Sequence, residues 1–282
     1  MNAPLAAGQD SAWRARLELA FAPRGQRTRL VGNRHTGPLL VQRAFNPETG
    51  GVCHAYLIHP PAGVVGGDQL EIEAKVASGA AALITTPSAT RFYRSNGATA
   101  RLEQRLRVAP GASLEWLPQE NLLFEGARAR IATRIALEGD ARFCAWELLC
   151  LGRPACGEGF AHGEVDQRLE VTRDGRPLLR ERLRPPAAGA LRVDGALLRG
   201  FAASATLLAS GAGQAVLDGV RALLATLAAP VVASATLLQD LLVCRLLAPH
   251  VAPLRAACER LWAELRPTLL GRAAHAPRIW AT

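Results

Sequence analysis

Apolar and polar residues alternate one by one through much of the first two thirds of this chain. Residues 13–19 (WRARLEL), 70–76 (LEIEAKV), 100–108 and 129–137 all follow this pattern. Because successive side chains of a strand point to opposite faces, the alternation indicates strands with one buried and one solvated face. Turn-forming residues separate these segments, and Asp174-Gly175 predicts a tight hairpin.

A weak repeat of roughly 30 residues runs through the same region. Residues 76–80 (VASGA), 108–112 (VAPGA) and 137–141 (LEGDA) each follow an alternating strand and precede a more apolar one. Strand pairs stacked in two layers give this pattern, as in a flattened β-helix or a long sandwich. The predicted fold class is therefore mainly β, with the region from about residue 13 to 208 rich in strands.

The remainder, about residues 209–282, is expected to mix helices and strands. Two segments with apolar residues at helical spacing enclose two strand candidates, in the order 218–227, 231–237, 241–247 and 253–265. Pro267 is expected to end the second helix. The turn-rich stretch 184–189 is the best candidate boundary, but we predict one domain over residues 1–282.

Composition excludes several classes of protein. Hydrophobic residues make up 49% and charged residues 20%, which supports a sizeable core and argues against disorder. Apolar runs fall short of the roughly 18 residues that span a bilayer, and residues 1–13 lack the pattern of a secretory signal. We expect a cytoplasmic protein with no membrane span and with reduced cysteines, of which Cys144, Cys150 and Cys244 pack as small hydrophobes.

The chain is basic, with a formal charge of +9 that comes almost entirely from arginine, since Lys75 is the single lysine. A basic surface can bind nucleic acid or an acidic protein. Aromatic residues are only 5% of the chain, too few for a platform that stacks bases. An acidic protein partner is therefore favoured, and a basic nucleic-acid-binding β module is the alternative.

The sequence contains no GxSxG elbow, P-loop, HExxH or dinucleotide fingerprint. Residues 63–68 (GVVGGD) superficially resemble a phosphate loop, but they lack its Lys-Ser/Thr pair and precede a strand. A tight turn with close backbone approach is the better interpretation of these glycines. We expect no enzyme activity and no tightly bound cofactor. A hydrolase hidden in the β scaffold is a further hypothesis, which predicts turnover that depends on Asp68 or Glu147.

Three carboxylates stand out from their neighbours, namely Asp68, Glu147 and Glu181. A carboxylate in a buried strand is costly unless it is paired or hydrated. Each therefore either forms a structural ion pair with an arginine or lines a polar passage for a divalent cation such as Ni²⁺.

Softer ligands for transient binding of the same ion are Cys53, His54 and His59. The run of Cys150, Cys156 and His162 lacks the tight spacing of a closed metal site, so a single strong site is not expected.

A loop cluster of aromatic and basic residues, formed by Arg91, Phe92, Tyr93 and Arg94, is a candidate interface with a partner protein. Aromatic residues and arginine are enriched at the energetic centres of interfaces. Ordinary packing of the loop is the alternative.

Several blocks of sequence occur together over nearly the whole chain: GPLLVQR (37–43), CHAYLIHPPAG (53–63), GGD (66–68), TTP (85–87), RFYRS (91–95), LEWLPQE (114–120), LGRP (151–154), GE (157–158), LRP (265–267) and PRIW (277–280). In this order they resemble the family of urease accessory protein UreD, also called UreH. Taken together the blocks are highly specific. Ala62 replaces the glycine that is usual after the double proline.

The resemblance implies a flattened β-helix with a few helices and a role without catalysis. It implies a complex with UreF and the GTPase UreG that binds the urease apoprotein, in which GTP hydrolysis drives nickel delivery to the carbamylated-lysine site. It also implies a dimer of such heterocomplexes. A water-filled passage has been proposed as the nickel route in the family, and Asp68, Glu147 and Glu181 match acidic residues assigned to it. Ni²⁺ would then be in transit.

Overall fold

The protein is described by a computed structural model over residues 12–185 and 197–281. Its strands are β1 (Arg14–Arg24), β2 (Arg27–Thr36), β3 (Leu40–Phe45), β4 (Cys53–Ile58), β5 (Gln69–Val76), β6 (Ala81–Thr85), β7 (Thr90–Phe92), β8 (Ala100–Val108), β9 (Ser113–Leu117), β10 (Asn121–Leu123), β11 (Arg128–Leu137), β12 (Arg142–Leu151), β13 (Glu164–Arg173), β14 (Arg176–Leu183), β15 (Ala203–Ser210), β16 (Val232–Leu238) and β17 (Leu241–Ala248). The helices are α1 (Gln214–Ala225), α2 (Val251–Leu270) and the short 3-10 turns Pro154–Cys156 and Arg278–Ala281.

The strands form two sheets. Sheet A has seven strands in the order β14-β13-β11-β8-β5-β1-β2, and the ten-stranded sheet B has the order β16-β17-β15-β12-β9-β6-β4-β3. The short strands β10 and β7 extend sheet B beside β12. One hydrophobic core lies between the sheets, and a second lies between sheet B and the two helices. The prediction of a mainly β fold with stacked strand layers is confirmed.

The repeat seen in the sequence is the stacking unit of the fold. Strand pairs β5-β6, β8-β9 and β11-β12 each run from sheet A through a turn into sheet B, and each turn places a glycine at positive φ (Gly79 72°, Gly111 69°, Gly139 54°). Successive units pair in parallel register in both sheets. The turns stack as well, since the hydroxyl of Ser78 donates to the carbonyl of Pro110 at 2.6 Å.

Strand β12 is buried on both faces, which explains why its sequence is apolar nearly throughout. Phe143 and Leu149 face sheet A, whereas Cys144, Trp146 and Cys150 face the helices. Cys244 on β17 lies in the same helix-facing core. These three cysteines are buried, as predicted, and pack as small hydrophobes.

The second helix extends further than expected. The prediction that Pro267 ends it is wrong, since α2 continues to Leu270 and closes with Gly271 in the left-handed conformation. A proline inside a helix removes one backbone hydrogen bond. Burial of Leu269 and Leu270 and the anchoring of Arg266 in the core offset that loss.

Arg266 is the centre of a buried charge cluster that holds α2 against sheet B. Its guanidinium donates to Glu115 on β9 at 2.8 Å and to Glu48 at 2.6 Å. His54 contacts the same Glu48 carboxylate at 2.6 Å. Burial by itself raises the pKa of Glu48, but the hydrogen bonds from His54 and Arg266 lower it to about 2. The pairing keeps the Glu48 carboxylate ionised beneath the helix.

The smaller predictions have these outcomes. The alternating segments lie in β1, β5, β8 and β11, and the hairpin joins β13 to β14 with Asp174 and Gly175 at positive φ. The predicted helix 218–227 lies in the region of α1, and the two C-terminal strands are β16 and β17. Among the described residues, neither α1 nor α2 combines the length and the apolar composition that a membrane-spanning helix requires. Most of the candidate boundary at 184–189 lies outside the described residues. So do residues 1–11, which were predicted to lack a secretory signal.

Candidate functional site

One cavity opens between the two sheets at the β14 and β16 side. It has a volume of about 580 Å³ and is lined by Glu147, Gln167 and Glu181 together with Thr206 and Arg245. These side chains come from β12, β13, β14, β15 and β17. The two carboxylates that the sequence analysis singled out on strands thus face one space.

Glu147 is 8% exposed and lies on the sheet A side of β12, among apolar residues of the core between the sheets. The amide of Gln167 donates to its Oε2 at 2.6 Å, and the Oε1 atom has no partner among the described residues. Burial raises the pKa of Glu147 to about 7, against the hydrogen bonds from Thr133 and Gln167, and the nearby charge of Glu181 raises it further. Within the part of the chain that the structure describes, Glu147 forms no ion pair.

Glu181 on β14 is the more exposed of the two carboxylates. Its Oε1 atom accepts a hydrogen bond from the Arg245 Nε at 2.6 Å, while its Oε2 is buried without a partner in the described residues. The ion-pair interpretation therefore applies to Glu181, with one oxygen left over for water or a cation.

A second cavity of about 340 Å³ lies further along the gap between the sheets, and its lining includes His59, Gln104, Trp116 and Asn121. Burial lowers the pKa of His59, and the nearby carboxylate of Asp68 partly opposes that shift. The imidazole therefore favours the neutral form, which can bind a metal ion.

A row of buried polar side chains joins the two cavities through the core. The amide of Gln104 in the second cavity donates to the hydroxyl of Thr133 at 3.1 Å. Thr133 in turn lies close enough to Glu147 in the first cavity to lower the pKa of that carboxylate. Gln104 and Thr133 stand in register on adjacent parallel strands. The core between the sheets is thus polar along one line.

The sequence analysis missed this row, although the alternation contained the signal. The inward positions of β8 read Ala, Leu, Gln, Leu, Val, and those of β11 read Ala, Ile, Thr, Ile, Leu. Strand β13 interrupts its inward face with Gln167 in the same way. One polar residue at an inward position of each of three neighbouring strands marks a polar line through a stacked core.

The two cavities hold four buried polar atoms that have no hydrogen-bond partner among the described residues. They are Nε2 of His59 and Nε1 of Trp116 in the second cavity, and the Oε1 of Glu147 and the Oε2 of Glu181 in the first. Leaving a buried polar atom unsatisfied costs about 1–3 kcal/mol. Such atoms are normally satisfied by water or an ion.

Asp68 lies apart from Glu147 and Glu181 and lines neither of these cavities. It is 3% exposed, and its two oxygens accept the backbone N–H groups of Trp13 (2.8 Å) and Val65 (2.9 Å). The turn that it closes has Gly67 at a φ of 95°, which confirms the interpretation of residues 63–68 as a tight turn. The carboxylate is satisfied by backbone donors and influences the second cavity only through His59.

The three softer candidate ligands do not meet. Cys53 lies in the core between the sheets, where burial raises the pKa of its thiol. His54 contacts Glu48, and His59 faces the second cavity. In residues 12–185 and 197–281 there is no group of three or more Cys, His, Asp or Glu side chains that could hold a metal ion.

The aromatic and basic loop cluster is divided between core and surface. Phe92 is 1% exposed and packs in the core, so it is not available to a partner. Tyr93 is 36% exposed and rests edge-on against Phe124, with ring centroids 4.9 Å apart. Arg91 lines the second cavity, and Arg94 is exposed beside Gly126. Within the cluster, only Tyr93 and Arg94 are exposed.

The outer face of sheet A carries many of the arginines, but carboxylates on the same face neutralise them. Arg134 bridges Glu103 (3.6 Å) and Glu170 (3.5 Å), and Arg168 and Arg182 both pair with Asp166. Hydrogen bonds from Arg182 and then Arg168, partly opposed by burial, lower the pKa of Asp166 to about 2. This face is a network of ion pairs, unlike the uniformly basic surface that nucleic acid requires.

Comparison with known proteins agrees with the blocks of sequence noted above. The family described as "UreD urease accessory protein" matches residues 14–281. A urease accessory protein UreD of Pseudomonas putida (strain GB-1) is 50% identical over 273 residues, covering 97% of this chain and 96% of the relative. The protein of the same name from Alkalilimnicola ehrlichii is 46% identical over 280 residues, covering 99% and 95%. That of Alcanivorax borkumensis is 43% identical over 281 residues, covering 98% and 95%. The chain therefore belongs to the UreD family of urease accessory proteins.

Proposed function

We propose that this chain is a non-catalytic cytoplasmic scaffold that works with UreF and the GTPase UreG on the urease apoprotein. In this proposal Ni²⁺ passes between the two sheets on its way to the urease metallocentre and is cargo, not a resident cofactor. The complete assembly is a dimer of such heterocomplexes.

The observation that carries the proposal is the set of four polar atoms without a partner among the described residues, in two cavities joined by a row of buried polar side chains. Carboxylate oxygens and a neutral imidazole are suitable ligands for a borderline cation such as Ni²⁺. Because the described residues offer no three-ligand cluster, any binding along this line is shallow. A series of weak sites lets an ion enter and also leave.

In this proposal Glu181 stands at one end of the route, and Asp68, which lines neither cavity, acts on the other end only through His59. Asp68 affects His59 in the second cavity, and Glu181 lies beside Arg245 at the mouth of the first. Glu147 occupies the middle, and it is the most deeply buried acid of the first cavity. The route therefore depends most strongly on Glu147.

The test is to block the first cavity without disturbing the surface. Ser204→Trp places a large ring in that cavity, and Glu147→Leu removes its central carboxylate at similar volume. We expect urease matured with either variant to contain several-fold less nickel and to show correspondingly less activity, with UreF binding unchanged. Nickel per urease active site, measured by elemental analysis, is the readout.

Glu138→Leu is the matched control, because Glu138 is exposed on a turn between β11 and β12 and lines neither cavity. It should leave nickel loading at the wild-type level. Full nickel loading by a folded Ser204→Trp protein would refute the internal route. Normal nickel content in urease made without this chain would refute the maturation role itself.

A further inference from the structure

Six large hydrophobic side chains are exposed in the described residues, and three of them gather at one end of the sheets. Trp13 is 49% exposed, Val65 46% and Tyr93 36%. Trp13 precedes β1, Val65 precedes β5 and Tyr93 follows β7. We call these three side chains the apolar platform. Scattered exposed hydrophobic residues are ordinary, but a cluster of them marks a surface that binds something.

The turn at residues 63–68 holds the platform together. One carboxylate, that of Asp68, binds the backbone N–H groups of both Trp13 and Val65, at 2.8 and 2.9 Å. The N–H of Tyr93 donates to the carbonyl of Val64 at 2.9 Å, which ties the third member to the same turn. The chain segments that carry Trp13, Val65 and Tyr93 are thus all fixed to the turn at residues 63–68.

The glycines of this turn leave space for the platform. A Cβ atom on Gly63 would lie 1.9 Å from Cε2 of Tyr93, so the ring rests on the bare backbone. A Cβ on Gly66 would lie 2.5 Å from the hydroxyl of Ser95, and one on Gly67 would lie 3.1 Å from the Cβ of Ala12. The GVVGGD sequence therefore has a structural role, which is to pack three chain segments closely beneath exposed hydrophobic side chains.

Unpaired arginines surround the platform. Arg14, Arg94 and Arg101 are exposed, and none of them forms an ion pair with a carboxylate of the described residues. Arg14 and Arg101 flank Gln69 in the same row of sheet A, so each lies about 5 Å from it, the spacing of neighbouring strands. We call these three residues the arginine rim.

The carboxylates at this end of the sheets are already occupied. Glu125 accepts hydrogen bonds from His162 at 2.7 and 2.8 Å, Glu158 pairs with Arg153, and Glu164 pairs with Arg128 at 2.6 Å. Among residues 12–185 and 197–281 the arginine rim therefore has no ion-pair partner, in contrast to the arginines on the outer face of sheet A. Such a rim attracts a surface with the opposite charge.

We propose that the apolar platform and the arginine rim form a docking surface for an acidic protein segment with an apolar side chain at its centre. The charge of the rim sets the sign of the partner, and the platform provides the aromatic anchors typical of interface centres. The inference rests on the proposed function in one respect, since the segment is taken to belong to UreF, UreG or the urease apoprotein.

The experiment measures the affinity of the purified full chain for each of the three proteins separately. Tyr93→Ala should weaken binding to one of them by about tenfold or more, as truncation of an interface anchor does. Gly63→Ala should have the same effect, because the new methyl group displaces the Tyr93 ring without removing it. The double variant Arg14→Glu with Arg101→Glu should slow association with the same partner and weaken its dependence on salt.

Val31→Asp and Arg24→Glu are matched controls, because Val31 is 46% exposed on β2 and Arg24 lies at the far end of β1 from Arg14. They should leave all three affinities unchanged. Thermal unfolding of each variant confirms that it is folded.

The outcomes separate the two proposals. If the wild-type chain binds none of the three proteins, the proposed function fails. If it binds them and the platform variants bind equally well, the docking surface alone is refuted. Binding of single-stranded RNA by the wild type that is lost in these variants would also overturn it, in favour of a nucleic-acid surface. If a second copy of this chain occupies the apolar platform, the wild type will be a dimer that Tyr93→Ala dissociates. That result would also overturn the proposed docking surface.

Discussion

Replacing Glu147 by Gln should change how the stability of this protein depends on pH. Burial raises the pKa of Glu147 from its ordinary 4.5 to about 7. Ionising it in the folded protein therefore costs about 3 kcal/mol more than in the unfolded chain. The side chain is buried, so solvent screening removes little of this cost.

The sign follows from where the proton is bound. Between pH 4.5 and about 7 the folded protein keeps the Glu147 proton while the unfolded chain has lost it. The free energy of unfolding of the wild type thus falls as pH rises through this window. Glutamine does not titrate and keeps an acceptor for Gln167, so Glu147→Gln should be the more stable protein at about pH 8, by up to about 3 kcal/mol.

Urea denaturation of both proteins at a series of pH values from about 5 to about 8 measures this difference. The lowered pKa of His59 makes the free energy of unfolding rise with pH, which is opposite to the effect of Glu147. Because His59 is present in both proteins, this effect cancels in the comparison. Glu138→Gln is the control and should show no such pH-dependent gain. Parallel curves for wild type and Glu147→Gln would refute the reasoning, since they would mean that water in the cavity solvates the charge as well as bulk solvent does.

Two further predictions test other parts of the structure. Arg266→Ala leaves the carboxylates of Glu48 and Glu115 buried without their shared cation. The free energy of unfolding, measured by chemical denaturation, should therefore fall by about 3–5 kcal/mol. A loss below about 1 kcal/mol would contradict this role of Arg266. Of the six cysteines only Cys156 is exposed, and burial raises the pKa of thiols such as Cys150 and Cys258. A thiol reagent should therefore label one cysteine in the folded protein and none in Cys156→Ser, and labelling of a second thiol without unfolding would contradict the structure.

Much of the fold could be predicted because its information is local. The period-two alternation of β5, β8 and β11 and the turns at Gly79, Gly111 and Gly139 lie within a few residues of one another in the sequence. The end of α2 could not be predicted in this way. Local rules place a helix end at Pro267, and burial of Leu269 and Leu270 against sheet B overrides them.

The candidate site was predicted in part. Glu147 and Glu181 were singled out as carboxylates with apolar or strand neighbours, and they do face one cavity. Asp68 was grouped with them, yet its oxygens bind the backbone of Trp13 and Val65. All three look alike in sequence, because which donors reach a carboxylate depends on distant segments.

The sequence by itself determined the strand pattern, the stacked repeat, the excess of arginine and membership of the UreD family. Only the tertiary structure decided which of the arginines are neutralised and which inward polar residues align into one row. The physical reason is that pairing across strands and between sheets depends on register. Gln104 meets Thr133 across 29 positions of sequence, and Arg266 meets Glu48 across 218. Contacts of that range exist only once the sheets are stacked.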